Sequence, residues 1–119
     1  MTLLTELVVS LVALLHACFL VLEMFLWDKP AGLKAFGQTK AQAGATKVLA
    51  ANQGLYNGFI SAGLIFGLLQ GDDGYGMIEF FLSCVIVAGV FGAFTASRKI
   101  LFIQALPGII GLLLVIFTK

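Results

Sequence analysis

Residues 3–27 read LLTELVVSLVALLHACFLVLEMFLW, with Glu6, His16 and Glu23 as the only strongly polar interruptions. A helix of about 20 apolar residues crosses the roughly 30 Å hydrocarbon layer of a bilayer, and this run is long enough to do so. It does not read as a cleaved leader. It lacks a basic start, carries Glu6 and exceeds the usual length of a leader's apolar core.

Three further apolar runs follow, at about residues 48–69, 77–96 and 100–117. A transmembrane barrel needs many strands of about 10 residues with alternating polarity, and these runs do not alternate. The sequence predicts an all-α integral membrane protein: a four-helix bundle forming one domain over residues 1–119. Composition agrees. The chain has 119 residues, 61% of them hydrophobic and 11% charged, and its mean hydropathy is +1.08. Soluble domains carry about 25% charged residues. This balance excludes a disordered chain, a nucleic-acid binder and a secreted disulfide scaffold. The expected partner is the lipid bilayer.

The scarce charges set the expected orientation. The basic residues are Lys29, Lys34, Lys40, Lys47, Arg98, Lys99 and Lys119, and all but the last fall in the first and third connections. The second connection, Gly71-Asp72-Asp73-Gly74, is a turn with acidic residues alone. Short basic loops stay in the cytoplasm, so both termini are expected outside, in a bacterial inner membrane. Asp28, Lys29 and Pro30 stop the first helix. Thr39 or Thr46 is expected to cap the second, since a threonine hydroxyl accepts a free amide at a helix start. Trp27 suits the membrane interface.

Polar groups inside a span are costly and mark candidate sites. At 1.5 Å rise per residue, Glu23 lies about 6 Å from the cytoplasmic edge. Asn52, Gln53 and Gln104 fall at a similar depth, with Arg98 just below. His16 precedes Glu23 by two turns on the same face, near mid-membrane, and Tyr56 and Asn57 reach a comparable level. The expectation is a polar seam in the cytoplasmic half, fed by four helices. The charge of Glu23 requires compensation there, from Arg98 or from a proton. Glu23 and His16 are the candidate acid-base groups, because carboxylate and imidazole move protons. Asn52, Gln53, Tyr56, Asn57, Gln104 and Arg98 are candidate substrate-binding groups. Each has a plain structural alternative, interhelical hydrogen bonding. Glu6 and Glu79 read as solvated interfacial carboxylates.

Cys18 and Cys84 sit inside spans one and three, where small buried packing residues are expected rather than a disulfide or a metal site. Ala50, Gly54, Gly58 and Ala62 recur every four residues, as do Gly63, Gly67 and Gly71, and Ala88, Gly92 and Ala96. Such rows let helices approach closely, within one chain or between chains. Four short spans make a thin bundle, so a homo-oligomer is expected. Pro107 interrupts the fourth span.

Two segments carry a resemblance. Residues 23–27, EMFLW, and residues 51–58, ANQGLYNG, are similar to segments of a bacterial family of small four-span membrane proteins classed as a domain of unknown function. The resemblance covers nearly the whole chain and implies no activity. The architecture also resembles the membrane-associated eicosanoid and glutathione metabolism proteins, which are four-span trimers. That resemblance implies a glutathione site between subunits, with Asn52 at the family's asparagine. The family's helix-two arginines have no counterpart among Lys47, Val48 and Leu49.

No nucleotide loop, nucleophile elbow or zinc signature occurs. Three functions remain open: an enzyme or binder of a lipophilic small molecule, an accessory subunit docking partner helices, and a small transporter. No repeat of the kind many transporters carry stands out.

Overall fold

The computed structural model describes residues 1–119 and is all-helical. Five α-helices follow one another: α1 (Leu3–Met24), α2 (Pro30–Phe36), α3 (Lys40–Leu69), α4 (Tyr75–Thr95) and α5 (Leu106–Thr118). A 3₁₀ turn (Gly71–Gly74) precedes α4, and a π-helical turn (Leu101–Ala105) precedes α5.

Local chemistry explains the breaks. Helix α1 ends at Met24, one turn before Trp27. Pro30 then opens α2, the position where a missing amide donor costs nothing. Gly37, at φ +62°, closes α2 in the left-handed conformation that glycine tolerates best. Its amide and that of Gln38 both reach the Leu33 carbonyl. This short helix inside the first connection was not expected.

Of the two capping threonines considered, Thr39 performs the role. The Gln42 amide donates to Thr39 Oγ1 at 3.2 Å, and the Thr39 amide donates to Gln42 Oε1 at 3.0 Å. This reciprocal capping box starts α3 at Lys40, about two turns before the apolar run. Pro107 has no amide to offer the carbonyl four residues back, and its ring crowds that carbonyl. The coil widens just before it, and the Leu106 amide bonds the Leu101 carbonyl instead.

Three stretches are long and apolar enough to cross a membrane: Leu3–Met24, Gly71–Thr95 and Leu101–Thr118. Helix α3 is longer, at 30 residues, but Asn52, Gln53, Tyr56 and Asn57 dilute its middle. The surface is that of a membrane protein. Leu, Ile, Val and Phe side chains on α1, α3, α4 and α5 are exposed, while Thr5, His16, Glu23, Asn57 and Ser61 are buried. Water would favour the reverse arrangement.

The chain forms two compact units. The first comprises residues 1–14 and 60–119. Its core gathers Val9, Val12, Ala13, Leu64, Tyr75, Ile78, Leu82, Val85 and Val115. Glycines set its tightest contacts. A Cβ at Gly89 would stand 2.6 Å from the Ala105 backbone nitrogen, and one at Gly63 would collide with the Phe81 ring. At one end of this unit, Thr5 Oγ1 lies 3.2 Å from Thr118 Oγ1. There too the Tyr75 hydroxyl donates to the Thr118 carbonyl at 3.2 Å, and Lys119 pairs with Glu79 at 3.0 Å.

The second unit is residues 15–59. Trp27 Nε1 donates to Thr46 Oγ1 at 3.1 Å, and its ring lies 4.8 Å from that of Phe36. Lys47 pairs with Asp28 at 3.0 Å. The small-residue row of α3 is spent within the chain: Gly54 abuts Met24 and Glu23, and Gly58 abuts Leu20.

Candidate functional site

The second unit holds the candidate site. Glu23 lies in the last turn of α1 and Asn57 in the middle of α3. Both are almost fully buried, at 8% and 6% exposure. Asn57 Nδ2 donates to Glu23 Oε1 at 2.7 Å, a length typical of a bond to a carboxylate. The contact follows from local sequence. Gly54 precedes Asn57 by three residues, so it presents the same face one turn away. Its missing side chain lets α1 close on α3 beside Glu23.

His16 is buried to 1% exposure and meets the Phe19 ring edge-on at 5.5 Å. It lies on the Glu23 face of α1, about 10 Å further along the axis at 1.5 Å per residue. An open groove of about 370 Å³ in this unit is lined by Met24, Lys47, Val48, Ala51, Asn52 and Leu55. Its lining is mostly apolar, and Lys47 and Asn52 are its polar members.

The expected seam is thus divided. Glu23, His16 and Asn57 turn inward, whereas Asn52, Gln53 and Tyr56 are exposed on α3. Asn52 donates back to the Val48 carbonyl of its own helix at 2.9 Å. Arg98 is exposed and Gln104 half-buried, and both belong to the other unit. The hydrogen bond to the Glu23 carboxyl comes from the Asn57 amide rather than from Arg98. Cys18, expected to be buried, is exposed, Cys84 is half-exposed, and both are free thiols. Glu6 is exposed as expected, and Glu79 is paired with Lys119.

Two contacts escaped the reading of the sequence. Ser61 Oγ donates to the Ala13 carbonyl at 2.8 Å within the first unit. The signal was its place four residues after Asn57, on the same helix face. Lys47 entered only as a loop charge. Its bond to Asp28 holds that carboxyl below the usual carboxylate range.

No group of three or more His, Cys, Asp or Glu side chains is arranged to hold a metal ion. The buried polar side chains of this unit are Glu23, Asn57 and His16.

The model of a family described as "Protein of unknown function (DUF1304)" matches residues 10–116. The chain belongs to this family. The DUF1304 match spans all the candidate side chains, from His16 to Gln104. The uncharacterized protein YpaA of Lactococcus lactis subsp. lactis (strain IL1403) is 29% identical over 115 residues, covering 95% of this chain and 97% of the relative. No solved structure matches this DUF1304 chain.

Proposed function

We propose that the protein is a four-span protein of the bacterial inner membrane, with both termini outside, that binds or converts a lipophilic small molecule in the cytoplasmic half of its bundle. The four-span reading draws support from the Thr5–Thr118 contact. These residues lie near the two ends of the chain's helical course and meet at one end of their unit, which supports an even number of crossings. Three apolar stretches make an odd number, and in this reading α3 is the fourth. Its 30 residues measure about 45 Å, ample for a bilayer. The basic first and third connections favour the cytoplasmic side for those loops.

The buried Glu23–Asn57 pair carries the functional reading. A carboxyl group inside a bundle is expensive, and such groups mark ligand or proton paths. In this reading an apolar molecule enters from lipid along the Met24–Leu55 groove and turns its polar end toward Glu23. Glu23 holds or moves a proton, with His16 as a second proton site deeper in the bundle. Membrane burial suits such a ligand, because its tail never leaves hydrocarbon.

The test is native mass spectrometry of the full chain released from membranes in mild detergent. A small-molecule adduct is expected on the parent chain and absent from Glu23→Gln, with unchanged helix content by circular dichroism. A parent chain free of adducts, or a Glu23→Gln variant that keeps them, sinks the reading.

A further inference from the structure

Helix α3 has two polar sides, and the chain itself satisfies only one. Asn57 is bonded inside the second unit. Leu49, Asn52, Gln53, Tyr56 and Phe59 occupy a different arc, roughly 120° wide at 3.6 residues per turn. All five are exposed, Tyr56 at 55%. The Gln53 amide and the Tyr56 hydroxyl make no hydrogen bond within the chain. Asn52 gives one of its two amide hydrogens to the Val48 carbonyl, and its own amide oxygen has no donor within the chain.

Under the four-span reading, on which this inference rests, Asn52 to Tyr56 lie about 8–14 Å inside the cytoplasmic edge, measured from Lys47. Hydrocarbon offers them neither donors nor acceptors. Amide side chains in that position drive helices together. We propose that this arc of α3 is the contact face for a second copy of the chain, with Gln53 amides hydrogen-bonded to each other across an axis along the membrane normal.

Two features point to a second copy. A primary amide is both donor and acceptor, so it is complementary to itself. Every copy also inserts with the same topology, so each presents Gln53 and Tyr56 at the same depth and in parallel orientation. A rotation axis along the normal then places like residues opposite each other. Leu49 and Phe59 flank the polar centre and supply apolar contact on either side. The ligand reading plays no part in this inference.

The experiment is resonance energy transfer between donor- and acceptor-labelled full-length chains in lipid vesicles, over a range of protein-to-lipid ratios. Gln53→Leu is expected to weaken association about three- to tenfold, in keeping with a pair of interhelical polar bonds. Gln53→Asn should restore part of it. Phe91→Leu, an equally exposed change on α4, should leave it unaltered. A parent chain that stays monomeric at all densities, or a Gln53→Leu chain that associates like the parent, overturns the proposal. A second arm separates the premise from the inference. Gln53→Cys, in a Cys18→Ala, Cys84→Ala background, should resist a membrane-impermeant maleimide. Ready labelling overturns the four-span reading and the interface together, whereas protection here combined with a parent chain that stays monomeric overturns the interface alone.

Discussion

Thr5 and Thr118 are separated by 113 positions in the chain, and their hydroxyl oxygens lie 3.2 Å apart. The contact joins the first turn of α1 to the last turn of α5. Both ends of the helical course therefore sit at one level of their unit, and parity makes a definite prediction. Reporter enzymes active only outside the cytoplasm should be active when fused after Lys119 and inactive when fused within residues 34–40. A cysteine at Gly71 should react from outside. Opposite locations for the two termini would refute the four-span topology.

The start of α3 carries two opposite stability effects. Thr39→Ala removes the capping hydroxyl from the Gln42 amide and should cost about 1 kcal/mol. Gly44→Ala lies about one turn inside the same helix, where an added Cβ meets nothing within 4 Å. It should stabilise by up to about 1 kcal/mol, because glycine is a poor interior helix residue. Chemical denaturation in mild detergent checks both signs. Trp27, the single tryptophan, reports locally because its indole bonds Thr46 on the same helix.

The Asp28–Lys47 pair predicts an acid limit for the first connection. Lys47 holds the Asp28 carboxyl below its ordinary value of 3.8. The folded state thus releases this proton more readily than the unfolded chain. The stabilisation is fully present above about pH 5 and fades as pH falls through the lowered value. Both side chains are partly exposed, so the contribution is small and sensitive to salt. Trp27 fluorescence should change on acidification below about pH 4, and Asp28→Asn should abolish the pH dependence of that step. A transition of equal size in Asp28→Asn would assign it to another group.

Much of this architecture was legible because lipid imposes simple rules on sequence. Apolar runs gave α1 and α4 to within three residues, and the Leu101–Thr118 stretch to within one. Thr39 was one of two threonines read as the start of α3, and Pro107 marked a break in the last apolar run. The place of Glu23 in the last turn of α1, four residues before Trp27, could be read as well. Which way each polar residue of α3 turns could not. Asn52, Gln53, Tyr56 and Asn57 fall within six positions, and neighbours on a helix differ by about 100°. Spacing of four residues pairs Asn52 with Tyr56 and Gln53 with Asn57 without saying which of these side chains meets α1. The deciding feature is Gly54, whose bare backbone admits Glu23 and Met24 and so selects the Asn57 face. Helix α2 was also hidden, since seven residues between a proline and a glycine carry too little periodicity to count.

The pairing of Glu23 with Asn57 separates a structural role from a functional one. Asn57→Leu leaves a buried carboxyl group without its donor and should destabilise the chain by about 1–3 kcal/mol. Glu23→Leu strands the amide instead and should cost less, because an amide is cheaper to leave unpaired than a carboxylate. The double variant should be more stable than the sum of the single losses implies, with a coupling of about 0.5–2 kcal/mol. Coupling near zero would mean that the 2.7 Å bond contributes nothing to the fold. The same variants should be scored for the adduct sought by native mass spectrometry. Glu23→Gln keeps an oxygen acceptor for Asn57 and so keeps much of the stability, but it cannot hold or donate a carboxyl proton. A variant that stays folded and loses the adduct assigns Glu23 to the ligand. A variant that stays folded and keeps the adduct assigns it to packing.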